Sequence, residues 1–119
     1  MSRILFAILS LVLLASPALG HSSLERSEPK DGETLKVAPG EIRLWFTEPI
    51  KVGLSTFEVR NEAGKQIDQR DLHADKKQPA LVRLSLPADL SAGTYKVIWS
   101  AVAQDLHVAK GIFSFRIAP

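Results

Sequence analysis

Two histidines and an aspartate stand at positions where they could hold a metal ion: His21, Asp105 and His107. His21 matters because of what precedes it. Arg3 gives a basic start, Ile4 to Ala15 is almost wholly apolar, and Ala18-Leu19-Gly20 places small residues at the recognition positions of a signal peptidase. Cleavage after Gly20 makes His21 the first residue and frees its α-amine. That amine and the imidazole Nδ1 of the same residue can close a chelate on one ion. Adjacent nitrogen donors of this kind suit the tetragonal preference of Cu(II). Asp105 and His107 are two residues apart, and on an extended segment such residues project from one face. From spacing alone, however, the pair reads more readily as two ordinary polar loop residues, since Asp-Xaa-His is a common spacing.

The composition excludes several other chemistries. The chain has 119 residues and no cysteine, which removes thiolate metal sites, iron–sulfur clusters, cysteine catalysis and a lipid anchor at the cleavage site. Arg3 is the only charged residue in the first 20, so 14 of the 15 basic residues remain after processing, against 13 acidic ones. That near balance, with no basic run, argues against nucleic acid as a partner. No second apolar stretch approaches the roughly 20 residues that cross a bilayer, so the processed chain is expected to be exported without stable membrane insertion.

The elements that must position these residues read as short strands. Ile42, Leu44 and Phe46 alternate, as do Phe57 and Val59, then Val82, Leu84 and Leu86, then Tyr95, Val97, Trp99 and Ala101, and last Phe113, Phe115 and Ile117. Asn61 to Lys65 reads as a turn, and prolines 29, 39, 49, 79 and 87 fall near strand ends. About seven strands in residues 21–119 predict an all-β, immunoglobulin-like Greek-key β-sandwich, one domain preceded by a signal peptide over residues 1–20. Leu90 to Tyr95 has the form of a tyrosine corner. In such a sandwich the start of the first strand and the end of a late one can meet at one pole, which would bring His21 beside Asp105 and His107. His73 lies in the polar Gln69–Gln78 stretch and reads as a surface residue, Trp99 as core.

An ordered set of motifs resembles the CopC family of periplasmic copper-binding proteins. It comprises the His21 start, Ser27-Glu28-Pro29-Lys30-Asp31-Gly32, Phe46-Thr47-Glu48-Pro49, Ala92-Gly93-Thr94-Tyr95, Trp99 to Val102, Asp105-Leu106-His107 and Gly111. The resemblance implies a β-sandwich binding one Cu(II) per mature chain through His21, Asp105 and His107. It also brings in Glu48, a position close to the metal in some members, although Glu48 reads equally as a solvated strand-end carboxylate. Val108 stands where the family often has proline. The methionine-rich loop that holds Cu(I) in some members has no counterpart, since Met1 is the only methionine and leaves with the signal peptide. The expectation is a monomeric Cu(II)-only carrier of the periplasm, not an enzyme, serving copper homeostasis and resistance with a CopD-type inner-membrane transporter as recipient.

Three alternatives stand beside this reading. One is a histidine-brace oxidative copper enzyme, which Asp105 as a ligand would disfavour. Another is a structural or adhesive sandwich with no physiological metal. The third keeps copper but moves it: cleavage after Ala18 would start the chain Leu19-Gly20-His21, a tripeptide that chelates Cu(II) without Asp105 or His107.

Overall fold

The computed structural model describes residues 22–119, so the expected signal segment and His21 lie outside the described residues. Eight strands form: β1 (Leu24–Glu28), β2 (Thr34–Leu35), β3 (Glu41–Phe46), β4 (Thr56–Arg60), β5 (His73–Ala74), β6 (Leu81–Ser85), β7 (Gly93–Val102) and β8 (Val108–Ile117). They make two four-stranded sheets, ordered β1-β3-β6-β5 and β2-β8-β7-β4. The all-β sandwich expected from the alternation is therefore present. The strands beyond those read from sequence are β1 and the two-residue β2 and β5, edge elements too short or too polar to show a period of two.

Alternation decides which side of each strand is buried. Ile42, Leu44 and Phe46 from one sheet meet Phe57, Val59, Val97, Trp99 and Phe115 from the other, all nearly or fully withdrawn from solvent. Aromatic rings brace the middle: Phe46 stands edge-on to Trp99 at 5.4 Å, and Phe57 stacks on Trp99 at 6.2 Å. Trp99 lies directly across from Gly111, and a Cβ there would stand 2.6 Å from its ring, so the indole needs a residue without a side chain. Near the opposite end, the Tyr95 hydroxyl donates to the Ser91 carbonyl at 2.7 Å, which is the tyrosine corner.

Two local details refine the sequence reading. The strand carrying Phe57 and Val59 is preceded by a single 3-10 turn, Val52–Leu54, and begins at Thr56. The polar Gln69–Gln78 stretch is not wholly irregular. It carries β5 along the edge of β6, and Leu72 packs against the core.

What matters most for function is the register at one pole. Leu24 pairs with Phe46, which sets the start of β1 against the end of β3. Just beyond, Thr47 N–H donates to the Ser23 carbonyl at 2.9 Å, and Ser23 N–H donates to Thr47 Oγ1 at 3.0 Å. The chain after β3 then crosses to the second sheet, where Ile50 bridges Ala103 and Lys51 N–H donates to the Val102 carbonyl at 2.8 Å. First strand, third strand and the β7–β8 turn thus share one end of the sandwich.

Candidate metal centre

Asp105 and His107 sit in the turn that joins β7 to β8. Ala103 N–H donates to the His107 carbonyl at 2.8 Å, and Leu106 N–H donates to the Ala103 carbonyl at 2.9 Å. Closing so tight a loop puts Leu106 in the left-handed region, at φ 72°. Only glycine adopts that conformation without cost, and a leucine there gives up roughly 1–2 kcal/mol. The two side chains consequently meet through a turn, not through the extended segment that their spacing suggests.

The meeting is direct. The Asp105 carboxylate accepts the backbone N–H of His107 on Oδ1 at 3.1 Å, and its Oδ2 lies 2.8 Å from His107 Nδ1. A carboxylate on Nδ1 fixes the ring's orientation and directs Nε2 as the ligating nitrogen, the arrangement that outer carboxylates impose on metal-binding histidines. The Asp105 side chain is about 29 % exposed and that of His107 about 66 %, so the carboxylate is the inner member and the ring the outer one.

Glu48 lies on the exposed link after β3. Its backbone carbonyl accepts the Ser22 hydroxyl at 2.6 Å, and Ser22 is buried. The first described residue is thereby pinned at Glu48, on the link that reaches the base of the Asp105 turn through Ile50 and Ala103. The chain next to His21 is therefore held at the pole that carries Asp105, His107 and Glu48. His21 itself lies outside the described residues. Among the described residues no three His, Asp or Glu side chains stand together as a metal-binding group. A complete centre on Asp105 and His107 needs donors from beyond that set, to which His21 belongs.

Ser22, Ser23 and Thr47 escape sequence reading, since a serine that anchors a strand end has no periodic signature. The same is true of Leu106, whose backbone conformation nothing in its chemistry announces. The tripeptide Asp-Leu-His occurs twice, and the second copy, Asp71-Leu72-His73, makes no such pair. Asp71 Oδ1 accepts Ser85 N–H at 2.8 Å, while His73 Nδ1 turns to the Asp71 carbonyl at 2.7 Å. His73 is exposed, as its sequence context suggests.

The chain belongs to the CopC family: residues 24–118 match the family model described as the CopC domain. Among similar proteins, copper resistance protein C of Xanthomonas campestris pv. juglandis is 33% identical over 110 residues, covering 88% of this chain and 86% of that protein. The copper transport protein CutJ of Bacillus subtilis (strain 168) is 28% identical over 110 residues, or 92% of this chain. This match spans only 20% of CutJ, about a fifth of its length. Among solved structures, CopC from Methylosinus trichosporium OB3b superimposes with a TM-score of 0.76 at 22% identity, covering 83% of this chain and 95% of that one. At that identity the likeness is one of fold. No helix among the described residues is long and apolar enough to cross a membrane.

Proposed function

We propose that this chain is an exported Cu(II)-binding protein of copper homeostasis and resistance, which sequesters one ion in the periplasm and hands it on. The α-amine and Nδ1 of His21, made available by cleavage after Gly20, supply a chelate. An imidazole nitrogen of His107 and an oxygen of Asp105, once released from its hydrogen bond to the ring, complete the donors, with Glu48 alongside. The observation that carries this reading is the Asp105–His107 pair, held at 2.8 Å in a turn at the same pole as the Ser22–Glu48 junction.

The donor set suits this cargo. Amine, imidazole and carboxylate favour Cu(II), while the thioethers that would hold Cu(I) do not occur after residue 1. A site that disfavours the reduced ion disfavours redox turnover, which supports binding over an oxidative activity. Reduction should release the ion, and transfer to a CopD-type membrane protein would follow on its arrival there. A monomer suffices, since every donor comes from one chain.

The test is intact mass of the exported protein, followed by Cu(II) titration of the same sample. A mass starting at His21, with one tight equivalent that His107→Ala abolishes, upholds the proposal. A mass starting at Leu19, with binding indifferent to His107→Ala, moves copper to the N-terminal tripeptide and overturns it.

A further inference from the structure

The two outer faces of the sandwich carry opposite electrostatic designs. On the β1-β3-β6-β5 face three arginines are matched by three carboxylates. Arg26 pairs with Glu28, which also binds Arg43. Glu41 lies between Arg43 at 3.6 Å and Arg83 at 2.5 Å, and Asp75 takes the other side of Arg83 at 2.8 Å. Trp45, on the same face, is covered by the Arg26 guanidinium at 3.6 Å. This face satisfies itself.

The outer face of β4, β7 and β8 does not. Its strands carry Arg60, Lys96, Lys110 and Arg116 against one carboxylate, Glu58, which is already bound to Arg60 at 2.7 Å, and Glu62 of the turn after β4 lines the same surface beside Arg60 and Lys96. Lys96, Lys110 and Arg116 enter no ion pair among the described residues. Aliphatic side chains run between them. Ile98 pairs across the strands with Ile112, which is 64 % exposed, and Val102 pairs with Val108, which is 52 % exposed. Asp31, at the β8 edge, accepts Ser114 N–H and does not reach into this row as an ion-pair partner.

We propose that this basic, aliphatic face docks on an anionic lipid bilayer. Charge complementarity selects the partner: a second copy of the same face would bring like charges together, whereas an anionic leaflet attracts each lysine and arginine. A flat lipid surface also accepts both features at once. Lysine ammonium groups reach the headgroup phosphates along their flexible stems while Ile112 and Val108 enter the interfacial region. The row ends at the β7–β8 turn, so docking brings the Asp105–His107 pole to the membrane surface. The proposal needs no bound copper, and its failure would leave the copper reading untouched.

The experiment is vesicle sedimentation of the processed, copper-free protein beginning at His21. The expected result is binding to mixed phosphatidylglycerol–phosphatidylcholine vesicles and none to phosphatidylcholine alone. Each basic residue near an anionic leaflet strengthens binding about five-fold, so Lys96→Gln/Lys110→Gln should lower the partition coefficient about 25-fold. Ile112→Ser should lower it further. Raising ionic strength to about 0.15 M, where the Debye length is about 8 Å, should weaken it as well. All three positions are exposed, and unchanged near-ultraviolet circular dichroism would verify that each variant folds. Equal partition onto both vesicle types, or indifference to the double substitution, overturns the proposal. So does retention by an acidic protein without vesicle binding, which would assign the face to a protein partner.

Discussion

Asp71-Leu72-His73 and Asp105-Leu106-His107 are the same three residues in the same order, and they fold into different chemistry. In the first, Leu72 packs against the core and fixes the backbone along β6, so the Asp71 carboxylate is spent on Ser85. In the second, Leu106 is 63 % exposed and its left-handed backbone curls the chain, which swings the carboxylate onto both the N–H and the ring of its histidine. The middle residue decides the outcome. Where it packs partly buried against the core the tripeptide is tied to the neighbouring strand, and where it is exposed in a tight turn the flanking side chains are turned toward each other. A motif of this length is thus a statement about possible donors, and the backbone between them determines whether they act as one.

The largest expected difference between the two copies is in copper binding. His107→Ala should lower Cu(II) affinity by more than about 100-fold, the upper range for losing a mere outer partner, whereas His73→Ala should leave it unchanged. Competition titration of both variants measures this, and equal losses would end the distinction.

Next comes the carboxylate. Asp105→Asn should cost about 10–100-fold in affinity, as removal of an orienting or weakly ligating carboxylate does. Asp71→Asn should cost none, and its effect should appear in chemical denaturation instead, at below about 1 kcal/mol because the group is exposed.

Acid separates the copies in another way. Protons compete with copper for the proposed amine and imidazole donors, so Cu(II) affinity should weaken as pH falls. Hydrogen bonds from Ser85 hold the Asp71 carboxyl below its usual value, and the Arg83 guanidinium does the same for Asp75. Depressed carboxylates stabilise the fold above their ordinary pKa of about 3.9, and that contribution disappears as pH falls through the lower folded values. At pH about 5 the protein should therefore have weakened copper binding with its fold intact. Thermal melts and copper titrations across the same pH range would show coincident loss if this separation is wrong.

The smallest effect concerns the turn itself. Leu106→Gly relieves the left-handed backbone but loosens the unfolded chain, and these terms nearly cancel, leaving stability within about 1 kcal/mol. Copper affinity should be kept. Leu106→Val, β-branched and ill-suited to positive φ, should lower both, and affinity unchanged by Val would show that the turn geometry is unimportant.

Much of the sandwich was legible because burial imposes a period of two. Ile42, Leu44 and Phe46, or Phe113, Phe115 and Ile117, could face a core only as strands, and each set does. The edges were not legible. β5 is two exposed residues, and β1 buries only Ser27 among its five, so neither could show the alternation of a half-buried strand. Trp45, off the Ile42, Leu44 and Phe46 row, faces outward and is covered by Arg26 of β1 and Arg43 of its own strand, a shelter that no periodicity announces. At the candidate centre the candidate donors could be named only through the resemblance to the CopC family, since Asp-Leu-His by itself, as its other copy shows, does not mark a site. Their meeting through a left-handed leucine could not, since that residue type gives no hint of it.

The buried Ser22 hydroxyl on the Glu48 carbonyl also bears on the timing of maturation. A peptidase acting after Gly20 must draw the residues that follow into its own cleft, and Ser22 is the second of them. Once the sandwich has closed, that residue is occupied by the fold. On the proposed cleavage after Gly20, the cut would have to precede the docking of β1 or wait for its edge to peel away, which would make the lifetime of the unprocessed chain a competition between peptidase and folding.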